Sequence, residues 1–545
     1  MRPLLLFLTI LLAWAAIFLP GLGNTELKGE EGRRILPARR MMQTGDYVLP
    51  YSEGRPYHRK PPLVNWAIAG SFRLHGEESE WAARLPSALA VLLLALTAAW
   101  AGKVIVGPQG AWWLPLAVLT TIGTIEKGRL AEIEAIFLSL SGIGMLGWLA
   151  GWHRGGSLWA RWLWAGVWFG LASLAKGPVF LPFFYAIALV ILWRGRQLKE
   201  LLHPAHWLGL GLALLLPLPW AMAAAARLKA LPQSARDDQA QVWMNQITKR
   251  LDPGAIDWKS YPLGPFETLL LLCPWALVSI YLWRRARRVW WPEIAEKDRA
   301  LLLGLGWGML TMGLIYALLP ESRARFQLPL VAPNALLAVL MLAHWQRHAK
   351  DETADSTAAR WTGTAVRVLL LLITIAGVTL PWWLAPGSMM ISMAWMLGLS
   401  PLIWLTAVRV ARMTPPGKAF AEAGLLAAWG MIFFGAVITP VMRRHEDIRP
   451  TALRILEVTG PEPKIMALNP GPQPFLFYLG KNCVETAFAS RVTPETTHLV
   501  VPAERWEGKD LRQRLARAGF AEKILEVKDD DATPYVLLKR GPKPP

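Results

Sequence analysis

The sequence predicts an all-α polytopic membrane bundle with a polar loop near its start and a small α/β domain at its end. Three observations lead there. Of the 545 residues 54% are hydrophobic and 30 are Trp, and the mean hydropathy is +0.31, which is too apolar for an ordinary soluble protein. The apolar residues fall into about thirteen runs, most of them near the ~20 residues that cross a hydrocarbon core of about 30 Å. Strand-like alternation is absent from those runs, so backbone satisfaction in lipid calls for helices. Finally, polarity is segregated into residues 24–84 and 442–545.

Taken in order, Pro3 to Leu19 reads as an uncleaved first helix, because Pro20-Gly21 follows directly without a small-residue cleavage site. After the polar loop come candidate spans near 86–106, 111–126, 131–151, 158–175, 177–193, 207–226, 266–283, 300–319, 326–345, 365–385, 388–408 and 420–440. The basic short connections are His153-Arg154, Arg194 to Arg196, Arg284 to Arg288, Arg347 to Arg360 and Arg409 to Lys418. The positive-inside rule puts these in the cytoplasm. Residues 24–84, Arg227 to Glu267, Pro320 to Arg325 and the tail are then outside. The net charge of +19 fits cytoplasmic arginine and anionic lipid, and no nucleic-acid motif accompanies it. Cys273 and Cys483 define neither a disulfide framework nor a cysteine-based metal site.

Within the loop, Glu31 to Thr44 has helical composition despite Pro37, and Pro62 to Leu74 gathers Leu63, Trp66 and Ala67 on an apolar surface. Both fit helices lying in the interface. The expected division is a transmembrane domain over 1–441, with 24–84 as its functional loop, and an extracytoplasmic α/β domain over 442–545. In that domain Lys464 to Leu468, His498 to Pro502 and Tyr535 to Leu538 read as strands, and Asp510 to Ala518 as a helix.

The chemistry-bearing residues cluster in the loop. Glu30 and Glu31 are followed by Arg33, Arg34, Arg39 and Arg40, and then by Tyr57-His58-Arg59-Lys60-Pro61-Pro62. Carboxylates serve proton transfer and cations serve phosphate. Two prolines limit where the Lys60 ammonium can swing. Adjacent residues do not share a helix face, so one of the two glutamates points into a site; the plainer alternative is a charge pair at a helix start. Farther on, Glu132 and Glu134 open the run at 131–151 as functional acids or as helix caps. Lys176 either snorkels or meets a headgroup. Arg323 and Arg325 suit bidentate phosphate recognition. Arg236, Asp237, Asp238, Lys249, Arg250 and Tyr261 are candidates to gate a site. No CxxC, HExxH, GxGxxG or P-loop stands in a supporting context.

Glu30-Glu-Gly-Arg-Arg34 through Gly45-Asp-Tyr-Val48, then Tyr57 through Lys60-Pro-Pro-Leu63, then Ala83-Arg-Leu-Pro-Ser-Ala-Leu89 form three ordered motifs. Together they resemble the first extracytoplasmic loop of polyprenyl-phosphate-sugar glycosyltransferases of the GT-C type. That group includes the aminoarabinose lipid A transferases and, more distantly, the protein O-mannosyltransferases. Leu174-Ala-Lys-Gly-Pro178 and Arg325-Phe-Gln-Leu-Pro329 extend the resemblance. It implies a GT-C bundle in the bacterial inner membrane with its site on the periplasmic side. It also implies inverting transfer of a sugar from undecaprenyl phosphate to a lipid, glycan or protein acceptor. The carry-over makes Glu30, or Glu31, the base on the acceptor hydroxyl, where relatives usually have Asp-Glu. Lys60, Arg33, Lys176, Arg323 and Arg325 would meet the donor phosphate, while Tyr57, His58 and Glu132 line the pocket. Glu134 would orient substrate or bind a divalent ion. Arg59 stands where relatives often carry an acid, so a metal site built on that acid stays open, and Phe326 stands where they commonly carry Tyr, so a hydroxyl contact made by that Tyr is missing.

Two rival classes remain. A lipid or solute transporter calls for ionisable residues buried mid-span, whereas these runs are nearly charge-free at their centres. A non-catalytic carrier-lipid binding protein would share the fold.

Overall fold

The computed structural model describes the chain apart from residues 1–2, 53, 58–59, 231–262, 290, 320–322, 349–352, 385–386, 388, 414, 444–447, 461–462, 481–482, 530–531 and 542–545. Two compact units emerge. One comprises Met1–Leu22, Arg84–Pro219 and Ala240–Val441; the other comprises Gly23–Ala83, Trp220–Gln239 and Met442–Pro545.

The first unit is helical, and every apolar run anticipated from the sequence forms helix. Eight helices among the described residues are long and apolar enough to cross a membrane, or nine if the pair Gly264–Leu272 and Trp275–Arg284, bent by 94°, is one span. The larger count of about thirteen expected from apolar run length included Pro3–Phe18, Gly110–Leu119 and Leu181–Arg194, which are helical but shorter.

Two spans form the centre of this unit. The apolar window of Ile133–Arg154 is 100% buried and that of Ala324–Arg347 is 94% buried, against 50% or less in the other spans, so these two have protein on all sides. Small residues permit this crowding. A Cβ on Gly147 would stand 1.8 Å from Nε1 of Trp164, and one on Gly166 would stand 2.5 Å from the Gly209 carbonyl. Close backbone approach is how helices gain contact where lipid supplies no hydrophobic drive.

Buried arginines cap the first helix. Arg129 donates to the carbonyls of Ile17 (3.1 Å), Phe18 (2.8 Å) and Pro20, and Arg84 donates to that of Leu22 at 2.9 Å. These carbonyls follow or end Pro3–Phe18 and lack partners inside it. At the far end of Ile133–Arg154, His153 and His344 reach Asp298 at 2.8 and 3.1 Å. Here too the ionisable groups sit at a helix end.

In the second unit the loop forms two helices, Gly32–Thr44 and Leu63–His75, joined by a hairpin of β1 (Tyr51–Ser52) and β2 (Arg55–Pro56). Left-handed Gly45 and Gly76 end the helices. The C-terminal residues add a five-stranded sheet of β3 (Ile465–Leu468), β4 (Cys483–Thr486), β5 (His498–Pro502), β6 (Glu522–Lys528) and β7 (Pro534–Lys539), in the order β4-β3-β5-β7-β6. Ile465 lies opposite both Cys483 and His498 in parallel pairings, and His498 faces Lys539 across the antiparallel β5–β7 pair. Leu499, Val501, Leu515, Phe520, Val536 and Leu538 fill the core of this sheet domain. Strands β4 and β6 and the helix Ile448–Thr459 went unanticipated. Strand β4 is only four residues with Glu485 among them, and β6 and the helix carry charges that break up any apolar run.

Loop and tail are clamped together. Arg39, 5% exposed, bonds Glu78 at 2.6 Å and the Phe477 carbonyl at 2.9 Å, and its guanidinium lies over the Phe477 ring. Buried Glu26 accepts the backbone N–H groups of Ile448 and Arg449. Glu80 takes the Arg449 guanidinium and, at 3.0 Å, the Tyr478 hydroxyl. Burial and the Glu80 charge push that phenol up, keeping it a donor. The hairpin tip, Gly54 at φ +72°, presses on the end of β4: a Cβ there would stand 2.4 Å from the backbone of Thr486 and Ala487.

Candidate active site

The first unit holds a buried acid between two cations. Glu134 is the second residue of Ile133–Arg154, Lys176 is the last of Leu158–Lys176, and Arg325 lies in the short 3-10 helix Ala324–Leu330 that leads into the second central span. Lys176 Nζ donates to Glu134 Oε1 at 3.1 Å, and Arg325 Nε stands 3.9 Å from the same oxygen. Both side chains of the shorter pair are 8% exposed. The rings of Phe137 and Phe326 flank the ammonium at 5.3 and 5.2 Å, which strengthens its electrostatic hold by excluding water. Gly177, at φ +89°, turns the chain immediately after the lysine.

A second carboxylate shell lies alongside. Lys127 reaches Glu126 at 2.8 Å and Glu132 at 3.4 Å. Burial works against its charge, yet Glu132, Glu126 and Glu134 together raise the ammonium above its ordinary value. Sequence reasoning passed over Lys127; its only signal was its place amid three acids between 126 and 134. Arg323 is exposed at the start of the 3-10 helix, away from this degree of enclosure.

The same unit holds an apolar cavity of about 500 Å³, lined by Leu269, Leu272, Ile280, Trp283, Leu310 and Leu314, with Gln327 in its wall. Gln327 belongs to the same 3-10 helix as Arg325. Its amide donates to Thr268 Oγ1 at 3.0 Å. The bent helix pair forms much of the remaining wall.

The loop residues belong to the second unit. Glu31 is 1% exposed and its Oε2 accepts the Lys28 backbone N–H at 3.0 Å, so this acid closes the start of the helix. Glu30 remains 28% exposed, with Arg33 at 3.5 Å and Arg34 at 3.8 Å. Of the adjacent pair, Glu30 is the one open to a reactant. Arg34, 6% exposed, donates to Tyr57 Oη at 3.3 Å, and Asn65 donates to the Arg34 carbonyl at 2.8 Å, joining the two loop helices. Lys60 is half-buried just before Leu63–His75. Gly32 is required because a Cβ there would stand 2.4 Å from the Pro472 carbonyl. His58 and Arg59, and the six gating candidates between Arg236 and Tyr261, lie outside the described residues.

The sequence-derived candidates thus fall into two sets, Glu134-Lys176-Arg325 and Glu30-Arg33-Tyr57, one in each unit. Among the described residues no three His, Cys, Asp or Glu side chains come together to hold an ion. Glu134 has Lys176 at 3.1 Å and Arg325 at 3.9 Å beside it.

Comparison with known proteins agrees with this architecture. Residues 59–222 match the dolichyl-phosphate-mannose-protein mannosyltransferase family. An uncharacterized protein of Aquifex aeolicus (strain VF5) is 30% identical over 183 residues, 32% of this chain and 38% of that protein, so the match spans well under half of the relative. The solved structure of ArnT from Cupriavidus metallidurans bound to undecaprenyl phosphate superposes with a TM-score of 0.65 at 19% identity, covering 99% of this chain and 98% of that one. Its apo state gives 0.63 at 18% identity, with the same coverage of each chain. The chain therefore has the fold seen in ArnT, and its residues 59–222 match the dolichyl-phosphate-mannose-protein mannosyltransferase family.

Proposed function

We propose that the chain is an integral membrane glycosyltransferase that moves a sugar from a polyprenyl phosphate, of the undecaprenyl class, to a hydroxyl on a lipid, glycan or protein acceptor at the outer face of the bacterial inner membrane. One observation carries this reading. The cluster of buried Glu134 and Lys176 with half-buried Arg325 is linked through the 3-10 helix Ala324–Leu330 to an apolar cavity, since that helix carries both Arg325 and the cavity-lining Gln327. A polyprenyl phosphate needs that combination, cations for the head and an apolar groove for the tail. The ArnT structure that shares the fold was solved with undecaprenyl phosphate bound.

The reaction is a single displacement with inversion. Glu30 takes the proton from the acceptor hydroxyl, the acceptor oxygen bonds the anomeric carbon, and the bond from that carbon to the phosphate oxygen breaks. Polyprenyl phosphate leaves with the electron pair. Lys60, Lys176 and Arg325 offset the charge that grows on the phosphate. Glu134 keeps both of its cations in place. Lipid anchoring of the donor removes part of the entropic barrier to encounter.

The test is transfer of labelled sugar from a panel of polyprenyl-phosphate donors by purified protein in lipid, beside Glu30→Gln. The wild type should be active, and the variant slower by about 10²-fold or more. Equal rates for Glu30→Gln would sink the base assignment. Donor binding without turnover across the panel would instead establish a carrier-lipid binding protein.

A further inference from the structure

A second cavity, of about 270 Å³, lies wholly within the second unit, between the helix Gly32–Thr44, the β1–β2 hairpin and the outer strand β4. The transfer mechanism uses none of the side chains that line it. Arg39 is in its wall, but that guanidinium is already engaged with Glu78 and with backbone carbonyls. Two other arginines are available. Arg40 comes from the loop helix and Arg491 from the short helix after β4. Neither makes an ion pair among the described residues, although Arg491 lies over the Phe488 ring at 5.2 Å. The two converge on Tyr51. All three line the one cavity, and the Tyr51 phenol, raised by burial and by Asp46, is pulled back by the charges of Arg491, Arg40 and Arg227. Gln43, Thr493 and Glu485 complete a polar lining.

Cavity size and lining select the ligand. The space is slightly smaller than the ~300–1,000 Å³ of typical small-molecule sites, too small for an oligosaccharide or a folded lipid tail. Two guanidiniums suit a phosphate, which accepts forked pairs of hydrogen bonds. The remaining amide, hydroxyl and carboxylate groups match sugar hydroxyls, and the Tyr51 ring offers a flat apolar face.

We infer that Arg40, Arg491 and Tyr51 form a binding site for a phosphorylated sugar, separate in its residues from the Glu134 cluster. The inference does not rest on the transferase reading. A protein that only bound carrier lipid would carry the same cavity.

The test is equilibrium binding to the full-length protein in nanodiscs, with glucose 1-phosphate, glucose and inorganic phosphate as separate probes. Glucose 1-phosphate should bind at least tenfold more tightly than either of the others. Arg40→Gln and Arg491→Gln should each weaken it at least fivefold, and Arg40→Lys less. Circular dichroism and thermal melts matching wild type would confirm that the variants fold. Equal affinity for inorganic phosphate would reduce the site to a general anion site and overturn the sugar assignment. If Lys176→Met abolishes the binding while Arg491→Gln leaves it intact, the sugar phosphate occupies the first unit's cluster, and the inference fails. No binding by any probe also overturns it.

Discussion

Two residues show how environment separates chemically identical groups. Glu30 and Glu31 are adjacent, yet one is 28% exposed beside two arginines and the other is sealed at 1%, accepting a backbone N–H. The first keeps part of its carboxylate in contact with solvent, and the second closes the start of the helix. The same logic divides the cations. Lys176 is enclosed against Glu134 and two aromatic rings, whereas Arg323 is exposed at the start of its helix. Lys176→Met should therefore weaken polyprenyl-phosphate binding by about tenfold or more, the scale of a charge-assisted contact. Arg323→Gln should change it by about threefold or less. A fluorescence titration with carrier lipid would distinguish them, and equal effects would count against the buried cluster as the headgroup site. Glu134→Ala, which takes the carboxylate from between two cations, should cost about 3–5 kcal/mol of stability, read from the loss in thermal unfolding.

At the level of elements, legibility followed the kind of signal each one carries. Membrane helices announce themselves by apolar run length, and both loop helices by composition and their glycine stops. Lys176, Glu134 and Arg325 could be singled out one by one, but their meeting at one oxygen depends on where three helices end, which no local pattern encodes. Arg84 and Arg129 were visible only as charges near apolar runs. Their work as caps on a helix more than sixty residues away is a tertiary fact. Strand β6 was missed because its alternating charges resemble a solvated loop. The sheet also carries a pH response. His498 lies buried on β5, opposite Lys539, and burial followed by that lysine's charge lowers its pKa below the ordinary 6.5. The unfolded chain therefore binds this proton more readily than the folded one. The stability contributed by neutral His498 is complete above about pH 6.5, and it falls as pH drops from there through the depressed folded value. Hydrogen-exchange protection in β5 and β7, corrected for the intrinsic rate, should fall as pH drops below about 6.5, and His498→Gln should flatten that dependence.

At the scale of the whole molecule, each unit carries one set of candidate groups. The first holds the buried Glu134-Lys176 pair, and the second holds the partly exposed Glu30 on a loop whose two helices are tied through Asn65. The tie between loop and tail is built from buried charge, with Arg39 and Glu26 satisfied by the C-terminal residues. The tail thus belongs to the folding unit of the loop and is more than an appendage.

The hairpin tip at Gly54 has a further consequence, for colloidal behaviour. Strand β4 is an outermost strand of its sheet, and an outer strand offers unpaired backbone groups to any passing chain. Gly54 lies against its end so closely that no side chain fits, and its left-handed backbone suits glycine. A Gly54→Val protein should lift the hairpin off β4 and leave that edge bare. The expected sign is concentration-dependent self-association by light scattering, in a detergent where the wild-type protein stays monodisperse. The tip of a two-strand hairpin would then be what keeps this molecule from pairing with its own copies.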